Sequence, residues 1–317
     1  MLFVHIPKTA GTSFRKAAEK YYGTGRTKYD YGEQSPVTSP TILEHNYRNQ
    51  DRAMLAKPLA SCSLLAGHFP LARYAPFFRA FDICAFVREP AQQIRSHYEH
   101  HCRALGYKKS FLDFINENRN KNAQFKNLNG CPLPAIGFIG LTERYEESIE
   151  LFNYQYDAKL VANTENKNPN KSGAVYQLSD EESALINELN TEDFRVYNYA
   201  IELFERKLHA MQEGTAYLCG QIETNLPKRI RNSQIRGWLM VPDSEQPQQG
   251  ILRINGCQVA EVVASDYRSW AKERNTVRSG FIGFTYHTEG KLEDGDLIEL
   301  YNPNGTELID SHRFICQ

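Results

Sequence analysis

Long hydrophobic runs are missing from this chain. None of its 317 residues falls in a run approaching the roughly 20 consecutive apolar residues that span a bilayer. The opening segment, Met1-Leu2-Phe3-Val4-His5-Ile6, has no basic leader and no small-residue cleavage site, and it reads as a buried strand. An excess of either charge is missing too, since 37 Lys and Arg stand against 38 Asp and Glu. That balance argues against non-specific nucleic-acid binding, which draws on surplus cations, but leaves room for a local cationic pocket. Cysteine is sparse: there are seven, an odd number, with no Cys-x-x-Cys pair. They read as reduced core residues of a cytoplasmic protein, with a bridge between Cys257 and Cys316 left open. Internal repeats and low-complexity tracts are also absent.

What is present is an alternation of strands and helices. Residues 2–6 predict a strand, 7–13 a polar turn and 13–22 a helix with Phe14, Ala17, Ala18 and Tyr21 on one face. Residues 23–45 read as a long polar loop. Strands are expected at 61–67, 82–87 and 157–162, and helices at 71–80, 91–105, 179–190 and 191–212; residues 111–156 look helical with breaks. Such alternation predicts an α/β domain with a parallel sheet flanked by helices, of phosphate-loop-like type, over residues 1–215. The pattern changes after about 215. Short alternating runs and the turn pairs Asn255-Gly256, Asp294-Gly295 and Asn304-Gly305 predict an all-β, sandwich-like module at 232–317. The stretch 216–231, with the basic Lys228-Arg229-Ile230-Arg231, reads as a linker.

Two segments carry anion chemistry. His5-Ile-Pro-Lys-Thr-Ala-Gly-Thr-Ser13 joins the first strand to the first helix. A helix N-terminus there offers unpaired N–H groups and a favourable dipole to a phosphate or sulfate. Gly11 permits close approach, Thr12 and Ser13 add hydroxyls, and Lys8 adds a full charge. Set against the nucleotide loop G-x-x-x-x-G-K-[ST], Ile6 stands where the first glycine belongs and Thr12 where the lysine belongs. The second segment is Phe86-Val-Arg-Glu-Pro-Ala-Gln-Gln-Ile-Arg-Ser96. Arg88 closes a buried strand, at the sheet edge where α/β ligands gather, and an Arg fork with the hydroxyl of Ser96 suits a terminal phosphate.

These two segments resemble carbohydrate sulfotransferases, the family that includes the heparan sulfate 2-O- and 6-O-sulfotransferases. The resemblance extends over roughly residues 2–210. It takes in Asn122-Ala-Gln-Phe, Gly140–Ser148, Asn163–Lys171 and Asp193–Ala200, besides the two anion loops. It implies 3′-phosphoadenosine 5′-phosphosulfate as sulfuryl donor. Lys8, Thr9, Ala10, Gly11, Thr12 and Ser13 would then hold the 5′-phosphosulfate, Arg88 and Ser96 the 3′-phosphate, and Lys171 would belong to the loop that closes over the nucleotide. Gln93 departs from the family, which often has Arg there; Arg95 is nearby but is expected to face another way.

The acceptor, expected to be a glycan or another hydroxyl, needs a base. His68, after the apolar run Leu64-Leu-Ala-Gly67, is the expected choice beside Lys8 as catalytic residue. His5 is expected to pack, and His45 is a weaker candidate. His97 and His101 are four apart but lack the H-E-x-x-H context of a zinc site, so no metal is called for. The aromatics Trp238, Tyr267, Trp270 and Tyr286 of the second module suit either sugar stacking or its core. The eukaryotic relatives carry a membrane anchor and this chain shows none, so a bacterial, cytoplasmic enzyme is expected. Two rivals stand beside the sulfotransferase: a phosphate-loop kinase or NTPase, disfavoured by the displaced Lys8, and a non-catalytic glycan-binding protein with the same fold.

Overall fold

The structure is a computed structural model that describes residues 1–162, 175–224, 226–227, 230 and 232–315. The chain divides into two compact units, one of residues 1–78 and 82–212, the other of 79–81 and 213–317.

The first unit is α/β. Among the described residues its strands are β1 (Leu2–Val4), β2 (Thr27–Asp30), β3 (Leu64–Gly67), β4 (Ile83–Val87) and β5 (Phe138–Leu141). They form one parallel sheet in the order β2-β3-β1-β4-β5. Both faces are covered, so β1, β3, β4 and β5 are buried at every residue and read as continuous apolar runs. The Gly11–Tyr22 helix lays Phe14, Ala17 and Ala18 into the core. Phe14 meets Phe3, Phe86 and Phe152 there at ring-centroid distances of 4.6, 5.2 and 5.1 Å. Longer helices run at Pro90–Leu105, Tyr145–Tyr156, Asp180–Leu189 and Thr191–Glu213.

Three expectations change. Residues 23–45 are more than loop: they contain β2 and then a short helix at Pro40–Ile42 that runs into a π-helical turn at Leu43–Arg48. Residues 71–80 hold only 3₁₀ turns where a helix was expected. The strand expected at 157–162 is irregular, and the fifth strand is Phe138–Leu141. The reason is local. The side chain of Asn153 accepts from Leu160 N–H (2.8 Å) and donates to Leu160 C=O (2.8 Å), standing in for a strand partner.

The second unit holds two four-stranded antiparallel sheets. One comprises β6 (Cys219–Ile222), β7 (Gln234–Met240), β10 (Asp266–Tyr267) and β11 (Phe281–His287), in the order β10-β11-β7-β6. The other comprises β8 (Gln249–Ile254), β9 (Cys257–Val263), β12 (Leu297–Tyr301) and β13 (Leu308–Arg313), in the order β13-β12-β8-β9. Ile235, Leu239 and Phe284 of the first share one apolar core with Leu252, Ile298, Leu300 and Ile309 of the second. Asn255 (φ 51) and Gly256 (φ 78) make the tight β8–β9 turn that the sequence announces. The segment expected as linker contains β6, which pairs with β7 from Cys219↔Met240 to Ile222↔Gly237.

Among the described residues no helix is long and apolar enough to cross a membrane. Cys62, Cys84, Cys102, Cys131, Cys219 and Cys257 are free thiols. Cys316, Lys228, Arg229, Arg231 and Lys171 lie outside the described residues, the last with all of Asn163–Lys171.

Candidate anion site at the carboxyl edge of the sheet

The chain places its chemistry by strand order. β1 lies between β3 and β4, with Val4 level with Gly67 on one side and Ala85 on the other. The residues that leave the carboxyl ends of these three neighbours are the His5–Ala10 loop, His68 and Arg88. Adjacent strands stand about 4.8 Å apart, so the three exits lie side by side at one edge of the sheet.

The backbone of the loop has a geometry that can receive an anion. Lys8 (φ 67) and Ala10 (φ 62) are left-handed, while Thr9 between them is not. Alternating handedness turns successive N–H groups toward one point, and the Gly11–Tyr22 helix adds the amides of Gly11 and Thr12, that of Ser13 already donating to Ala10 C=O at 3.0 Å. Gly11 has a second reason to be glycine: a Cβ there would lie 2.1 Å from Cδ2 of His5. The Thr9 hydroxyl is spent inside the loop, donating to Ile6 C=O at 2.9 Å, so Thr9 can offer an anion its amide alone. Ser13 is buried and Thr12 half-buried. Burial lowers the pKa of Lys8; Tyr176 opposes this, while Arg103 and Arg88 add to it. A half-buried ammonium among other cations suits a negatively charged ligand.

Arg88 reaches the same loop. Its Nη1 donates to Lys8 C=O at 3.3 Å, and its Nε lies 3.9 Å from Glu143. Gln93, on the Pro90–Leu105 helix, is buried and donates from Nε2 to Pro7 C=O at 2.7 Å. The position where the resembled family often carries a cation thus ties the loop by a neutral hydrogen bond. Ser96 is buried one turn beyond Gln93 on that helix. Arg95 is engaged elsewhere, with Glu99 (3.1 Å) and Glu182 (3.4 Å). Tyr176 lies over the Arg88 guanidinium at 5.8 Å, held by its main chain to both ends of the Gln92 amide at 2.7 and 3.0 Å.

His68 is exposed on one side and crowded on the other. Its Nδ1 lies 2.5 Å from His5 C=O. A carbonyl only accepts, so neutral His68 carries its proton on Nδ1 and leaves the Nε2 lone pair available. Burial of its inner side lowers its pKa, against the pull of that carbonyl. The ring lies 4.5 Å from that of His5 and 4.8 Å, edge-on, from that of Tyr31. Tyr31 and His5 Nδ1 share a hydrogen bond of 2.9 Å. His5 is buried and neutral, its pKa driven well below the ordinary range by burial and then by His68.

Behind this pair sits Asp30, fully buried at the end of β2. Its carboxylate accepts from Tyr47 (2.7 Å), Tyr74 (2.7 Å), Arg73 (3.0 Å) and Gly32 N–H (3.1 Å). Its carbonyl accepts His68 N–H at 2.9 Å. The loop expected over residues 23–45 conceals Asp30, at the end of β2, and Tyr31, the residue after it. The alternation Thr27-Lys-Tyr-Asp-Tyr31 was the available signal.

Burial lowers the pKa of His97 and His100, and the Lys8 charge, within reach of both on the Pro90–Leu105 helix, lowers it further. His45 lies on the π-helical turn. His97 and His101 meet Nε2 to Nε2 at 3.1 Å and pack edge-on against Phe114. Among the described residues no group of three or more His, Cys, Asp or Glu is placed to hold a metal ion. In the second unit Trp238 is buried against Trp270 at 5.2 Å, and Tyr267 is exposed beside Phe281 at 5.3 Å. No family model matches the chain, and no curated protein matches it.

Proposed function

We propose that this chain is a sulfotransferase with a phosphate-loop-like fold. It would move a sulfuryl group from 3′-phosphoadenosine 5′-phosphosulfate to a hydroxyl, with a glycan as the favoured acceptor and the cytoplasm as its compartment. One observation supports the reading: Arg88 donates to the carbonyl of Lys8, so the two segments proposed to bind anions touch at one edge of the sheet. A ligand with negative charge at both ends fits such a pair better than a triphosphate does, because the positive groups come from two strands.

When bound, the donor supplies a sulfuryl group on a phosphate leaving group. The amides of residues 8–12, the Ser13 hydroxyl and the Lys8 ammonium would hold the 5′ end and stabilise charge on the departing oxygen. Such fixed donors are typically worth about 3–4 kcal/mol each. Arg88, with Ser96 on the following helix, would hold the 3′-phosphate. His68 would take the acceptor's proton on Nε2, the nitrogen left free by the bond to His5 C=O. Free thiols at all six described cysteines accord with a reducing compartment.

The test is transfer of labelled sulfuryl from the donor to a panel of glycans, with binding of 3′,5′-diphosphoadenosine measured against ATP. The diphosphate is expected to bind and ATP to bind far more weakly. Lys8→Ala should abolish turnover in a folded protein, Arg88→Ala should weaken the diphosphate strongly, and His68→Ala should cut turnover at unchanged donor affinity. Preference for ATP, or full turnover in His68→Ala, would overturn the corresponding part of the reading.

A further inference from the structure

We infer that Gln124 and Asp193 are positioning residues for Arg88, acting on its main chain from behind the site. The inference rests on the proposed role of Arg88 as a phosphate ligand. β4 pairs with β5 only as far as Val87↔Leu141, so Arg88 is the first residue past the end of the ladder. Gln124 takes over there. Its Oε1 accepts Arg88 N–H at 2.9 Å and its Nε2 donates to Arg88 C=O at 2.8 Å. One amide side chain thereby does for Arg88 what a neighbouring strand does inside the sheet. Gln124 is fully buried, so water has no ready access to replace it.

Gln124 is itself fixed. The Asp193 carboxylate accepts from Gln124 N–H (3.1 Å) and Phe125 N–H (2.8 Å), at the start of the Ala123–Leu128 helix. In return Asn122 accepts from Glu192 N–H (3.1 Å) and Asp193 N–H (3.2 Å), at the start of the Thr191–Glu213 helix. Asn190 closes the lock by accepting Asn122 N–H at 2.8 Å. Two helix starts far apart in sequence therefore cap one another. The lock reaches the site through the Gln124 amide, which grips the residue whose guanidinium touches the Lys8 loop.

A merely structural glutamine would alter stability; a positioning one must also alter the anion site. The full-length chain should be compared with Gln124→Met, which keeps the volume and loses both bonds, and Gln124→Glu, which keeps an acceptor and loses the donor. Three readouts are taken: amide exchange at Arg88 by NMR, affinity for 3′,5′-diphosphoadenosine, and kcat at saturating donor. In Gln124→Met the Arg88 amide should lose protection and affinity should fall on the order of 10- to 100-fold, as when supporting residues behind a ligating group are removed. Gln124→Glu should fall between, and kcat should change less than affinity in both. If Gln124→Met fails to fold, Asp193→Asn replaces it, with the same directions and a smaller loss. Unchanged protection at Arg88, or lost protection with unchanged affinity, overturns the inference. A wild-type chain that binds no diphosphate fails the functional reading instead; affinity for inorganic pyrophosphate, with Arg88 exchange, then decides the role of Gln124.

Discussion

At the residue scale the site is tight enough for one methyl group to matter. A Cβ at position 11 would stand 2.1 Å from Cδ2 and 2.5 Å from Nε2 of His5. Gly11→Ala is therefore expected to destabilise the first unit by about 1–3 kcal/mol, as overpacking does, read from urea melts. His5→Ala added to it should recover part of that loss, since the imidazole is what the methyl meets. A second residue-scale expectation concerns pH. The proposed base must be neutral, and burial holds the pKa of His68 below its ordinary 6.5. The acid limb of kcat/KM should accordingly have its midpoint below 6.5, and a limb at or above that value would remove His68 from the role. Lys8, Arg88 and His68 were legible in the sequence because charge and spacing mark them. Gln93, Gln124 and Asp30 were not, because a buried amide or carboxylate shows its worth only once its partners are in place.

At the element scale the Pro90–Leu105 helix offers a titration that can be isolated. Burial, followed by His101 and His100, pushes the pKa of His97 down to about 3. Between pH 6.5 and about 3 the unfolded chain therefore binds a proton at His97 that the folded chain refuses. The stability His97 contributes is whole above pH 6.5 and is lost as pH falls through that window. His97→Gln should flatten the dependence of melting temperature on pH over the same range relative to the parent chain. Strand legibility follows the same physics. β1, β3 and β4 were readable because fully buried parallel strands are unbroken apolar runs. β5 is four residues between Gly137 and a 3₁₀ turn, too short for periodicity to separate it from a helix. The false strand at 157–162 traces to Asn153, whose amide satisfies Leu160 without a ladder.

At the scale of the whole molecule, the boundary between units falls earlier than composition suggests. β6 is the edge of its sheet, and Ile222 N–H also donates to Asp310 at 2.7 Å. A fragment of residues 213–317 should fold, whereas one of 232–317 leaves the β7 edge bare and should melt lower and aggregate, as light scattering on heating would show. Every described residue proposed to bind the donor lies in the unit made of residues 1–78 and 82–212. Two compact bodies on one chain need not share what a ligand gives. Saturating nucleotide at a hundred times its Kd lends about 2.7 kcal/mol to whatever unfolds as one with the pocket. In a calorimeter the heat absorbed by the larger body should then shift to higher temperature while that of the smaller stays where it was.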